Sequence, residues 1–156
     1  MSDPFTKDAK AVYGKAVRIA PQLRRITAPN ASPMTFTGTQ TYLAGDKNVV
    51  VIDPGPANDD HIQTILSALA PGERIVGILV THTHIDHSPA AAPLAKATGA
   101  PVFAFGKHAT GMSEAMATLA ATGAEMGGGE GADRAFAPTV EVKDGDVIKF
   151  PGLNFT

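Results

Sequence analysis

The sequence predicts an α/β fold, and three observations carry that prediction. Residues 49–52 and 75–80 are unbroken runs of apolar, mostly β-branched side chains, the composition of strands buried on both faces of a sheet. Between them Ile62, Ile65, Leu66 and Leu69 recur at i, i+3, i+4 and i+7, the stripe of a helix packed on one side. Strand, helix, strand in that order makes a right-handed crossover with parallel strands. With 156 residues and 44% apolar content, the chain is long enough for one domain with a real core.

The elements follow in order. The pattern up to residue 29 is mixed: residues 7–15 are weakly helical, and a further segment at 17–26 is interrupted by Pro21. Residues 39–44 have strand composition, residues 45–48 (Gly-Asp-Lys-Asn) have turn chemistry, and residues 49–52 return as the second strand of a hairpin ending at Asp53. Pro54-Gly55-Pro56 breaks the strand, Asn58 or Asp59 caps the striped helix, and Pro71-Gly72 ends it. After the strand at 75–80, Ser88 is placed to cap a helix with Pro89 in its first turn, running over 90–98 to Gly99, with Pro93 costing it a backbone bond. A strand at 101–105 and a helix at 112–122 come next; Met112, Met116 and Leu119 have the spacing of a core-facing stripe. Residues 123–131 are glycine-rich and read as a loop. Residues 140–142, 147–150 and 153 onward read as short strands joined by turns.

Composition excludes several functions. Thirteen basic against fifteen acidic residues give a formal charge of −2, without a basic block to attract phosphate backbones. The absence of cysteine rules out disulfides, thiolate nucleophiles and cysteine-based zinc sites. No apolar run is long enough to span a bilayer, and the polar start lacks a signal-like apolar centre; a soluble, cytoplasmic protein is expected. Residues 127–132 formally allow a phosphate-binding glycine pattern but follow no strand, and Ser88 lies outside any nucleophile elbow.

Three of the five histidines fall within six residues, in His82-Thr83-His84-Ile85-Asp86-His87. A chance match to this pattern is on the order of 10⁻⁴ to 10⁻³ per chain. One histidine after a strand is ordinarily part of a solvated turn, whereas four metal-type ligands in one loop are not. In an extended segment His82 and His84 point the same way, and Asp86 and His87 sit where the chain turns into the next helix. The loop lies outside the carboxyl end of a parallel strand, where open α/β sheets place their sites. Imidazole and carboxylate donors without sulfur suit Zn²⁺ first, with Fe or Mn as alternatives, and two pairs of ligands suit two ions.

The His82-x-His84-x-Asp86-His87 pattern resembles the signature of the metallo-β-lactamase superfamily. Asp53 in Val51-Ile52-Asp53-Pro54-Gly55 resembles the aspartate that ends an early strand there. Arg24-Arg25-Ile26-Thr27-Ala28-Pro29-Asn30, Met34-Thr35-Phe36-Thr37-Gly38-Thr39, Tyr42-Leu43 and Thr81-His82-Thr83-His84 are similar to the branch of β-lactamase-like protein 2. Gln40 stands where that branch usually has Asn, and Ala31 where it often has Pro. The resemblance covers residues 24–156 and implies the N-terminal half of a four-layer αββα fold, so residues 1–156 are expected to form a partial domain.

What the resemblance implies is metal-dependent hydrolysis: the metal lowers the pKa of water, a hydroxide attacks a carbonyl or phosphoryl centre, and the developing oxyanion is stabilised. His82, His84, Asp86 and His87 would be the ligands, with Asp86 also orienting the nucleophile or handling its proton. Small (thio)esters, lactones, β-lactams and RNA phosphodiesters are the implied substrate classes. The family completes its site with a third His, a bridging Asp and a further His, all downstream of the strand at 153–156. The rival expectation is therefore a non-catalytic chain that binds metal weakly or structurally and persists by self-association or by association with a C-terminal half; no membrane partner is expected. Asp53 is read either as orienting a ligand histidine or the metal-bound water, or as a plain turn cap. His61 is assigned a surface or capping role, and His108 is read as an inert loop histidine.

Overall fold

The computed structural model describes residues 10–122 and 131–156. Its centre is a seven-stranded sheet in sequential order, β1 (Val17–Ala20), β2 (Leu23–Thr27), β3 (Gln40–Ala44), β4 (Asn48–Ile52), β5 (Arg74–Leu79), β6 (Val102–Ala104) and β7 (Val140–Glu141). Strands β1 to β4 form an antiparallel meander, and β4 to β7 run parallel. The parallel half needs crossovers, supplied by α1 (Asp59–Ser67), α2 (Ala91–Thr98) and α3 (Glu114–Ala121). Residues β8 (Ile148–Phe150) and β9 (Leu153–Phe155) make a separate hairpin.

The β-branched runs form strands because they bury on both sides. Val49, Val51, Ile75 and Ile78 join α1 residues Ile62 and Ile65 and α2 residues Ala91 and Leu94 in one core. Val49 pairs with Ile75 and Val51 with Ile78, so these side chains share a face. Each fully buried aliphatic chain of this kind contributes roughly 1.5–3 kcal/mol. The other face carries Val50 opposite Gly77 and Ile52 opposite Leu79, and the hairpin β8–β9 lies on it. A Cβ on Gly77 would stand 2.5 Å from Cζ of Phe150, and the Phe150 ring meets Phe103 and Phe155 edge-on at 5.5 and 6.0 Å.

Several expectations need correction. Residues 7–9 lie outside the described residues, and residues 10–15 are not helical: the chain turns at Gly14 and Tyr13 pairs with Thr27. Tertiary pairing there overrides a weak local preference. Helix α1 is capped by Asn58, whose side chain accepts from the His61 N–H at 2.8 Å, but it stops at Ser67, before Leu69. Helix α2 starts at Ala91 with Ala90 as its uncapped boundary, so Ser88 is not its cap. Pro93 then occupies the third helical position, where an N–H has no intrahelical acceptor, and removes no bond. Helix α3 has no buried residue; Met116 and Leu119 are exposed rather than core. The glycine-rich loop at 123–130 lies outside the described residues. No helix among the described residues is long and apolar enough to cross a membrane.

Candidate metal centre

Asp53 ends β4 in a sharp turn at a positive φ of 49°, followed by Gly55 at 93°. Its N–H donates to the Leu79 carbonyl at 2.8 Å, which joins the turn to the end of β5. Gly55 donates to the His87 carbonyl at 3.0 Å and accepts from the Ala90 N–H at 3.1 Å, clamping the far end of the histidine loop. Only glycine fits: a Cβ at this φ would stand 2.9 Å from His61 Nε2. On the opposite side, residues 131–133 strap the loop. Ile85 N–H donates to the Gly131 carbonyl at 2.9 Å and Asp133 N–H to the Thr83 carbonyl at 2.7 Å, with a bridge between His84 and Ala132. Ser88, assigned above to a helix cap, instead donates to Asp133 Oδ2 at 2.9 Å.

The Asp53 carboxylate organises two of the imidazoles. It accepts from the Thr81 N–H on Oδ1 at 2.8 Å, and on Oδ2 from the Thr81 hydroxyl at 2.8 Å and from His87 Nδ1 at 2.9 Å. Counting donors then assigns the rings. The Thr81 proton goes to Asp53, so Thr81 Oγ1 accepts from His82 Nδ1 at 2.9 Å, and His82 keeps the lone pair on Nε2. His87 donates Nδ1–H to Asp53 Oδ2, and its Nε2 faces Asp86 Oδ2, 3.2 Å away. Burial, together with the neighbouring His87 and His84 charges, lowers the His82 pKa. Burial would also lower that of His87, but the hydrogen bond and charge of Asp53 and the charge of Asp86 outweigh it and raise it. The same balance holds Asp53 low: burial opposes its charge, and the His87 and Thr81 donors more than offset that.

His82 Nε2 and His84 Nδ1 stand 3.1 Å apart, and the His82 ring packs 4.5 Å from His84 and 4.2 Å from His87 between centroids. Two lone pairs repel at such a distance, so a proton lies between these nitrogens. Asp86 is buried; Oδ2 accepts from the Thr39 hydroxyl at 2.7 Å, and Oδ1 is buried with no hydrogen-bond partner among the described residues. A buried carboxylate oxygen without a donor is costly, and a cation would satisfy it. The donor set therefore fits a divalent ion, although among the described residues no three such side chains are grouped so as to hold one by themselves.

The structure brings His82, His84, Asp86, His87 and Asp53 together and leaves two histidines apart. His61 is not on the surface as expected: it is buried against the Asp53 turn, with Nε2 at 2.9 Å from the Thr41 hydroxyl. His108 Nδ1 lies 3.1 Å from Thr83 Oγ1, flanking the loop. Sequence reasoning gave Thr39, Thr41 and Thr81 no place in the site. The available signal was two threonines at alternate positions, 39 and 41, on the same side of the chain as Leu43, so that both hydroxyls turn to the buried side and each must find a partner.

Comparison with known proteins places this geometry in a family. Residues 34–156 match the family model of the metallo-beta-lactamase superfamily. The chain is 35% identical over 79 residues to an atrochrysone carboxyl ACP thioesterase of Passalora fulva, a match covering 49% of this chain and 24% of that protein. It is 41% identical over 70 residues to a hydroxyacylglutathione hydrolase of Albidiferax ferrireducens, covering 44% and 26%. The crystal structure of a beta-lactamase domain protein from Burkholderia ambifaria superposes with a TM-score of 0.64 at 20% identity, over 94% of this chain and 48% of that one. The matched segments thus span about a quarter of the curated relatives' length and about half of that solved structure. With a family match over most of its length and the fold of the N-terminal half of its structural neighbours, the chain belongs to the metallo-beta-lactamase superfamily.

Proposed function

We propose that this chain supplies one half of the site of a metal-dependent hydrolase. The observation that carries the reading is the buried Oδ1 of Asp86, unpartnered among the described residues, on a carboxylate that touches His87, whose ring packs on His82. His82 and His84 form one pair of donors and Asp86 and His87 a second, so two ions are proposed, Zn²⁺ by donor chemistry, with Fe or Mn as alternatives. When bound, such an ion supplies Lewis acidity that lowers the pKa of water and stabilises a developing oxyanion. The chain's own residues do the rest. Asp53 holds His87 directly and His82 through Thr81, so that the Nε2 atoms of both rings are free of Asp53. Asp86 would hold the ion through Oδ1, the oxygen left free of hydrogen bonds among the described residues, and its carboxylate would orient a water for attack.

For the substrate we favour a thioester or ester carbonyl. Relatives carrying the names thioesterase and hydroxyacylglutathione hydrolase support this, and a formal charge of −2 without a basic block gives no electrostatic reason to prefer an RNA phosphodiester. A cytoplasmic setting suits a chain without cysteine. The test is hydrolysis of an acyl thioester and of an RNA oligonucleotide by the intact protein, before and after chelation and after return of Zn²⁺. Thioester turnover lost on chelation and restored by the ion is expected. Turnover indifferent to chelation would overturn the reading, and metal binding without turnover of either substrate would leave the non-catalytic alternative.

A further inference from the structure

Asp86 owes its unequal oxygens to a residue 47 positions away. Thr39 lies at the entry to β3, where its carbonyl accepts from the Ala28 N–H at 2.9 Å. Its own N–H donates to Asn30 Oδ1 at 2.9 Å. An N–H can meet only the oxygen of an amide, so this contact fixes the orientation of the Asn30 side chain and turns Nδ2 toward Thr39 Oγ1, 3.1 Å away. A hydroxyl that accepts there must send its proton elsewhere, and its acceptor is Asp86 Oδ2 at 2.7 Å. Both Thr39 and Asp86 are buried, at 5% and 6% exposure, so water does not compete for the bond. Gly38 makes the approach possible: at φ 113° a Cβ would stand 2.1 Å from the Ala28 carbonyl oxygen and 3.2 Å from Asn30 Oδ1.

We infer that Thr39, oriented by Asn30, is a positioning residue that keeps Oδ2 of Asp86 occupied and leaves Oδ1 as the free donor atom. The inference rests on the metal-binding reading proposed above. Without the hydroxyl, the longer contact with His87 Nε2 at 3.2 Å is what Oδ2 keeps among the described residues, and the plane of the carboxylate is held at one point instead of two. Loss of such a supporting hydrogen bond typically costs 10–100-fold in metal affinity.

The experiment is a chelator-competition titration of Zn²⁺ into the intact protein, with the visible spectrum of bound Co²⁺ as a second readout. Variants are Thr39→Val, which keeps the shape and removes the hydroxyl, Thr39→Ser, which restores it, and Asn30→Ala. All are compared at a temperature where circular dichroism shows each folded. The expected result is a loss of about 10–100-fold for Thr39→Val with a changed Co²⁺ spectrum, near-wild-type values for Thr39→Ser, and a smaller loss for Asn30→Ala. If the wild type binds and a folded Thr39→Val binds equally well, the inference is overturned while the metal reading stands. A Thr39→Ser variant as weak as Thr39→Val overturns it too, since the hydroxyl would then not be the cause. If the wild type itself takes up no Zn²⁺, the metal reading falls and this inference with it.

Discussion

His61 shows how one side chain can couple the fold to pH. It is 2% exposed, and burial, partly offset by a hydrogen bond to the Pro54 backbone, lowers its pKa to about 4. Between pH 6.5 and about 4 the unfolded chain binds a proton that the folded chain refuses, so stability rises with pH across that window. The contribution is fully present above pH 6.5 and is lost as pH falls toward 4, amounting to about 3 kcal/mol. Urea unfolding of the wild type and of His61→Gln at pH 7 and pH 4.5 checks this: the wild type is expected to lose more stability on acidification, and parallel losses would refute it. At the site itself, Asp86→Ala and His87→Ala in the intact protein are expected to abolish hydrolysis while leaving the circular dichroism spectrum and unfolding cooperativity largely unchanged, because these groups are held for chemistry rather than packing. Undiminished turnover by either variant in excess metal would sink the two-metal proposal. The histidine pattern was legible because its residue types are rare and closely spaced. The roles of Thr39 and His61 were not, because each is defined by partners far away in sequence, at Asp86 and at Thr41.

Among the elements, β4 and β5 were the most legible, since β-branched runs without alternation have few places to go except the middle of a sheet. Helix α1 was equally clear, with its Asn58 cap and buried Ile62 and Ile65. The start of α2 was misread because Ser88 finds Asp133, 45 residues on, and is unavailable to a helix terminus. Helix α3 was misread in its packing: its periodicity promised a buried stripe, but an apolar stripe becomes core only where another element covers it, and Met116 and Leu119 remain exposed. The hairpin β8–β9 depends on a bare patch of β5. Gly77→Ala is expected to push Phe150 off the sheet, since its ring is already held between Phe103 and Phe155, at a cost of about 1–3 kcal/mol. Thermal unfolding and hydrogen exchange at residues 148–155 would report it; an unchanged midpoint and protection would show that the ring has room to move.

For the whole molecule, the two faces of the sheet are treated differently. Helices α1 and α2 cover one with the main core, whereas the other has the short hairpin, leaving an apolar cleft of about 430 Å³ along Ile52, Leu79, Phe103 and Phe155. Phe105, which lines the same cleft, is 54% exposed, and burying such apolar side chains against a cover is favourable. The 156-residue chain is therefore expected to self-associate at tens of micromolar and to bind an apolar dye, with an added C-terminal half suppressing both. Light scattering from a monomer with cooperative unfolding and no dye binding would show that the chain closes its own core.

What the sequence by itself determined is whatever local chemistry dictates: parallel strands from β-branched runs, a cap for α1 at Asn58 or Asp59, and the loop that gathers His82, His84, Asp86 and His87. Only the tertiary structure decided how those side chains are held. The Asp53 turn, the 131–133 strap and the Thr39 hydroxyl reach the loop across tens of residues. A hydrogen bond between distant segments leaves no periodicity or composition behind; it exists only once burial has removed water and each polar group must find a partner inside the protein.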